Sequence, residues 1–155
     1  MIDLIKIIPY AKELVPHFKA LNLAWLQKYF VVEPLDEVIL SNPEAYFNDK
    51  GGLIFFATYN GEVAGTFALL KVSDNIFELS KMAVNEKFQG KGIGNAILEF
   101  CLQQAKQMQL EKLILYSNTL LYPAIHLYKK YGFIEVIDFK SQYIRANIKM
   151  EIAIK

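Results

Sequence analysis

In the run Glu78-Leu-Ser-Lys-Met-Ala-Val-Asn-Glu-Lys-Phe-Gln-Gly-Lys-Gly-Ile-Gly94, an extended, partly apolar segment gives way to a glycine-rich turn. A long helical pattern, Ile93–Met108, follows at once. Strand, glycine turn and helix in that order aim successive backbone N–H groups at an anion. Gly90, Gly92 and Gly94 lack Cβ, so a ligand can come close to the backbone. The first helical turn adds unpaired N–H groups and the positive end of the helix dipole. The stretch therefore reads as a pyrophosphate cradle. Two common phosphate loops do not fit it. The P-loop spacing Gly-x-x-x-x-Gly-Lys-Ser/Thr is absent. The dinucleotide fingerprint Gly-x-Gly-x-x-Gly follows a first strand, whereas Gly90-x-Gly92-x-Gly94 has another spacing and sits mid-chain.

Working outward, Ile76–Val84 is the strand that feeds the turn. Leu53–Tyr59 and Glu62–Val72 precede it, joined by Asn60-Gly61, a strong two-residue hairpin signal. Upstream, Ile2–Ile8 reads as a first strand ended by Pro9. Tyr10–Tyr29 carries Leu14, Phe18, Leu21 and Trp25 at helical spacing, with Pro16 starting or kinking the helix. Pro34–Leu40 and Ala45–Phe47 are short helical pieces. In Ile93–Met108 the apolar stripe is Ile97, Cys101, Ala105 and Met108. Downstream, Lys112–Ser117 reads as a buried strand parallel to Ile76–Val84. Tyr122–Tyr131 is a helix closed by Gly132, and Phe133–Phe139 and Ile144–Ile154 are the last strands. The expected class is α/β, a mixed central sheet of about six to seven strands with helices on both faces.

At 155 residues the chain has the size of a single domain over 1–155, and hydrophobic residues at 54% supply ample core. The net charge is +1 with Lys and Arg scattered, which gives no electrostatic case for nucleic acid or an anionic membrane. One cysteine, Cys101, rules out an intrachain disulfide, and its place in the stripe suits a buried thiol better than a nucleophile. His17 and His126 stand alone, so no metal is expected. With no leader pattern and no long apolar run, the expected location is cytoplasmic.

Gln89-Gly-Lys-Gly92-Ile-Gly94 resembles the acetyl-CoA loop, Gln/Arg-x-x-Gly-x-Gly/Ala, of the GNAT superfamily of N-acetyltransferases. Asn118, Ala124, Leu127-Tyr128 and Gly132-Phe133 resemble a second family segment on the expected helix. Glu78–Val84 and Tyr143–Met150 also look like a bacterial subgroup, some of whose members are fused to MarR-type regulators. The resemblance covers essentially the whole chain. It implies a GNAT fold and acetyl-CoA as co-substrate. Gln89, Gly90, Lys91, Gly92, Ile93, Gly94 and Asn95 would hold the pyrophosphate, although Lys91 could equally be a solvated lysine. Backbone at Met82 and Val84 would pair with the pantetheine arm like an added strand. Asn118 would bond the arm, or else cap the turn it begins. Tyr128 would protonate the leaving thiolate, or else pack helix on sheet. Glu78, eleven residues before Gln89, has the spacing of a general-base glutamate. It would share a strand face with Ser80, Met82 and Val84, and its bland role is a solvated strand charge.

Two functions follow. One is direct acetyl transfer to a primary amine of a small molecule or peptide. The other is a non-catalytic module that binds acyl-CoA and senses it. Trp25, Tyr29, Phe30, Glu33, Asp36 and Glu37 gather aromatic rings and acid in the region expected to grip the acceptor, which would suit a cationic amine, or else they belong to a solvated helix pair packed on the sheet. The apolar C-terminal strand could pair with a second copy as a homodimer.

Overall fold

A computed structural model of the chain describes residues 4–155. Its seven strands are β1 (Ile5–Pro9), β2 (Leu53–Tyr59), β3 (Glu62–Lys71), β4 (Ile76–Val84), β5 (Lys112–Ser117), β6 (Ile134–Val136) and β7 (Ile148–Ala153). They form one sheet in the order β1-β2-β3-β4-β5-β7-β6. The β4–β5 pair is parallel; the other five pairs are antiparallel. Five helices accompany them: α1 (Val15–Tyr29), α2 (Pro34–Ser41), α3 (Pro43–Tyr46), α4 (Ile93–Gln107) and α5 (Tyr122–Lys130). Positions 2 and 3 of the expected first strand lie outside the described residues.

Local chemistry accounts for most boundaries. The β2–β3 hairpin turns on Asn60 (φ 50°) and Gly61 (φ 83°), both left-handed as a type I′ turn requires. Pro16 sits in the first turn of α1, where its missing N–H costs nothing, so the helix starts at Val15 and does not kink. Residues Ala11–Leu14, expected to be helical, make a single tight turn instead.

Two apolar layers sandwich the sheet. Phe55, Phe67, Leu69, Phe77 and Leu79 face α4 and α5, packing with Ile97, Leu98, Cys101 and Tyr128. Ile54, Phe56 and Ala68 face α1 to α3, packing with Phe18, Leu26, Ile39, Leu40 and Phe47. The alternation of 54/56/68 against 55/67/69 is the period of two that a doubly covered sheet needs.

That alternation is interrupted where β2 and β3 slip register at Ala57/Thr58, and again in β4. Thr66 pairs with Ala83 but Ala68 pairs with Ser80, so Lys81 and Met82 together stand opposite Phe67. Lys81 takes φ 54°, a left-handed conformation that lysine rarely adopts. This β-bulge shifts the phase of the strand. Glu78, Ser80 and Ala83 now share the face of Leu70, Ala68 and Thr66, while Met82 packs with the α4–α5 layer. The expected common face of Glu78, Ser80, Met82 and Val84 is therefore corrected.

The C-terminal strands are also shorter than expected. Phe133–Phe139 contracts to β6, Ile144–Ile154 begins only at Ile148, and residues 137–147 form a loop. The amides of Ile144 and Arg145 donate to the Glu33 carboxylate at 3.0 and 3.3 Å, so they cannot serve a strand ladder. Nor is β7 a free edge for a second copy: β5 pairs with it along its length and β6 along Lys149–Glu151.

Phe67 is fully buried, with its ring 5.3 Å from Phe55 and 6.0 Å from Phe100. Phe67→Ala should cost about 3–5 kcal/mol of stability, read as a lower urea midpoint with an unchanged slope.

Candidate active site

Parallel pairing between β4 and β5 covers only Ile76–Glu78 against Lys112–Ile114. Beyond Glu78 the two strands diverge. β5 continues to Ser117 paired with β7 alone, and β4 continues to Val84 paired with β3 alone. The facing edges are left without a strand partner, and a cavity of about 740 Å³ fills the wedge. Its lining comes from both sides of the sheet: Tyr128 and Leu127 from the α4–α5 side, Trp25 and Lys81 from the α1–α2 side. Such a passage exists only because the sheet is split.

At one end stands the glycine turn. Gly90 (φ 79°) and Gly92 (φ 85°) are both left-handed, and a Cβ on Gly90 would meet nothing within 4 Å. Gly92 is the N-cap of α4, so the first amides of that helix open onto the turn. Gln89, Gly90, Gly92, Ile93, Gly94 and Asn95 line the cavity. Gly94 has a further role: its Cβ would stand 2.9 Å from Leu127 Cδ2, so its absence lets α5 close on α4. Lys91 is exposed and does not line the cavity; its Nζ lies 6.0 Å from the Tyr59 ring. The Asn95 Oδ1 accepts from Lys130 Nζ at 2.9 Å, which holds a second basic side chain beside the turn.

Met82 and Val84 line the open edge of β4, and Asn118 lines the far wall. The Asn118 side chain is committed to the protein: Nδ2 donates to the Arg145 carbonyl at 2.6 Å and Oδ1 accepts from Leu120 N–H at 2.8 Å. That is the capping role.

Glu78 sits at the apex, in the last β4–β5 pair. Burial pushes its carboxyl up to about 7, against the opposing pull of Lys81, the Ser80 hydroxyl and Lys149. A carboxylate tuned there can take a proton near neutral pH. Tyr128 is buried, and burial followed by neighbouring Cys101 raises its hydroxyl to about 12, so it stays protonated. Cys101 is fully buried, and burial pushes its thiol up as well, which keeps it an inert thiol.

Beneath the other end lies a group that sequence reasoning did not assemble. Asp36 is fully buried and accepts from Lys81 Nζ at 3.0 Å and from Arg145 at 2.7 and 2.8 Å. Arg145 also reaches Glu33 at 3.2 Å. Burial works to raise the Asp36 carboxyl, but the hydrogen bonds from Arg145, the Glu33 amide and Lys81 hold it below its ordinary value. Lys81 is lowered by burial despite Asp36. The expectation that Glu33 and Asp36 are free acids for a cationic acceptor is thus corrected: both are paired internally. Glu37 is exposed and lies outside the cavity lining. Tyr116, Tyr143 and Arg145 line the cavity without having been singled out as site residues. Their one signal was position, at a strand end and in a late aromatic–basic stretch.

Among the described residues no group of three or more His, Cys, Asp or Glu could hold a metal, and no helix is long and apolar enough to cross a membrane.

Breaking the ion cluster has a calculable cost. Asp36→Asn leaves Lys81 without its buried counter-charge and should destabilise the chain by about 3–5 kcal/mol in urea unfolding.

Comparison with known proteins completes the assignment. The chain is 27% identical over 124 residues to N-acetyltransferase 8B of Mus musculus, covering 76% of this chain and 53% of that protein. It spans about half the length of the curated relatives that match first. An acetyltransferase of the GNAT family from Staphylococcus aureus Mu50 superposes with a TM-score of 0.87 at 21% identity, over 97% of this chain and 99% of that one. The spermidine N-acetyltransferase of Vibrio cholerae, in a complex with CoA and spermine, superposes with a TM-score of 0.71 at 17% identity, over 97% and 96% of the two chains. The model of the acetyltransferase (GNAT) family matches residues 18–133, so this chain belongs to that family.

Proposed function

We propose that the chain is an acetyl-CoA-dependent N-acetyltransferase that passes acetyl directly to a primary amine of a small molecule or peptide. The observation that carries this reading is the split between β4 and β5, which joins a left-handed glycine turn and a near-neutral carboxylate in one cavity. The residues present fit the co-substrate. The Gln89–Asn95 turn and the α4 N-terminus offer N–H groups to a pyrophosphate. The unpartnered edge of β4 through Met82 and Val84 offers strand-like pairing to an extended amide arm. That a neighbour of the same fold, the Vibrio cholerae spermidine N-acetyltransferase, is in complex with CoA supports CoA as the co-substrate. Lys91 contributes charge at most from outside the cavity, and Asn118 shapes the wall more than it binds.

Bound acetyl-CoA supplies the acyl group as an activated thioester. Glu78 takes the proton that an alkylammonium must lose before it can attack, directly or through water. A backbone N–H near Met82–Val84 polarises the acyl carbonyl. Tyr128 keeps its proton up to about 12 and delivers it to the departing sulfur. No covalent stage is required of the protein, because the Cys101 thiol is sealed in the core. We place the enzyme in the cytoplasm, acting as one unit over 1–155. The likeness of Glu78–Val84 and Tyr143–Met150 to bacterial members is the ground for assigning it to their subgroup, with its MarR-type fusions.

The decisive assay mixes acetyl-CoA with a panel of primary amines and follows free thiol. Release on some amines above hydrolysis is expected. Tight CoA binding with no release on any amine would replace this reading with the acyl-CoA sensor. Tyr128→Phe should lower kcat on the order of 10²-fold with CoA affinity unchanged.

Glu78 gives a pH signature whose sign is fixed. The base form is needed, so kcat/KM should climb as pH rises through about 7, and Glu78→Gln should flatten that limb. The folded-state value lies above the unfolded one, so Glu78 favours folding at low pH and loses that contribution as pH rises through about 7. Glu78→Gln should accordingly be no less stable than the parent at pH 8. Gly92→Asp combines backbone strain at φ 85° with a negative charge in the cradle. Isothermal titration should show CoA affinity at least about tenfold weaker, an expectation that equal binding by a folded variant would refute.

A further inference from the structure

Beyond Glu78, away from the glycine turn, the cavity is walled by Trp25, Tyr29, Phe30, Tyr116 and Tyr143. These rings come from the end of α1, the end of β5 and the loop of residues 137–147. Trp25, Phe30, Tyr116 and Tyr143 are half-buried, so each shows part of its ring to the cavity. Phe30 meets Trp25 edge to face, at a centroid distance of 6.0 Å and an interplanar angle of 89°, so the two rings brace each other at a corner of the wall.

The charges of the same region are closed on themselves. Asp36 and Glu33 are taken by Lys81 and Arg145. Those two cations also sit over two of the five rings, Tyr143 and Trp25. Lys81 Nζ lies 4.4 Å and the Arg145 guanidinium 4.3 Å from the Tyr143 centroid, and the guanidinium is 5.7 Å from Trp25. An aromatic cage normally attracts a cation through its ring faces. Here Lys81 and Arg145 already occupy faces of Tyr143 and Trp25, and both cations line the cavity. A ligand with several ammonium groups would meet resident positive charge and find Glu78 as the carboxylate in the lining. Apolar area, by contrast, is available without competition.

We infer that the acceptor is a primary monoamine carried on a flat aromatic group, and that Trp25 and Tyr143 set this preference. The inference rests on the acetyltransferase reading above. In the productive pose the ring packs on the Trp25 wall and the amine points to Glu78. A polyamine, whose remote ammonium groups would lie along Arg145 and Lys81, is disfavoured.

The test uses the whole chain with 2-phenylethylamine, spermidine and lysine as acceptors. We expect kcat/KM for 2-phenylethylamine to exceed that for spermidine at least tenfold. Trp25→Leu should lower kcat/KM for 2-phenylethylamine about tenfold through KM, leaving CoA affinity as it was. Trp25 is the single tryptophan of the chain, so its emission reports the acceptor end directly. With CoA present, 2-phenylethylamine should change that emission saturably and spermidine should not. Turnover with spermidine equal to or above that with 2-phenylethylamine overturns this inference and leaves the acetyltransferase reading intact. A saturable change of Trp25 emission with no turnover of any amine overturns the acetyltransferase reading and with it the acceptor role, leaving only an aromatic-amine binding site. Neither turnover nor an emission change overturns both.

Discussion

A carboxylate sealed from water has to be answered by charge, and Asp36 is answered twice. Lys81 approaches from β4 and Arg145 from the loop before β7, while Asp36 itself belongs to the first turn of α2. A buried ion pair adds little net stability over an apolar packing of the same volume, yet breaking one is expensive. The cluster therefore acts as a geometric constraint. It ties a helix, a central strand and a C-terminal loop to one point under the cavity. Glu33 extends the constraint: its carboxylate takes the amides of Ile144 and Arg145 and so decides where β7 can begin.

The Lys81 bulge belongs to the same arrangement. An unbulged β4 would have kept Lys81 on the face of Leu79, toward α4 and α5, with Asp36 on the other side of the sheet. The extra residue turns Lys81 toward Asp36 and moves Met82 into the α4–α5 layer. A left-handed lysine is a strained choice, of order 1–3 kcal/mol, held in place because releasing it would break a buried charge pair. Just before the bulge β4 parts from β5. One local irregularity thus accompanies both the buried cation and the opening of the cavity.

What could be read in the chain was local. Asn60-Gly61 specified its turn because both positions need positive φ, and Gly90 and Gly92 specified theirs for the same reason. Ile97, Cys101, Ala105 and Met108 announced the buried stripe of α4; the first three have zero exposure, while Met108 is half-buried at the C-cap. Glu78 and Tyr128 were located by spacing and resemblance, and both line the cavity. What could not be read was non-local. Asp36, Lys81 and Arg145 lie 45 and 109 positions apart, and no periodicity links them. Before folding, Asp36 looks like any acid in a first helical turn. Ile144–Ile154 had the composition of a strand, but a side chain more than 100 positions upstream removed its first hydrogen bonds. Period-two counting through β4 failed because a bulge has no compositional mark on a lysine.

The short seam between β4 and β5 has a consequence of another kind. Three residue pairs join a four-strand leaf, β1 to β4, to a three-strand leaf, β5 to β7. Hydrogen exchange commonly finds such leaves opening as separate cooperative units, at a free energy below that of global unfolding. Alternate amides from Leu79 to Val84 face the gap with no strand to protect them. A ligand backbone lying there would act as a stitch between the leaves. By mass action, a ligand at a hundred times its dissociation constant adds about 2.7 kcal/mol to the folded state. The thermal tolerance of this chain in a cell would then track the concentration of whatever occupies the gap. Starved of it, the protein would be a looser object, more open to proteases along one line through its centre.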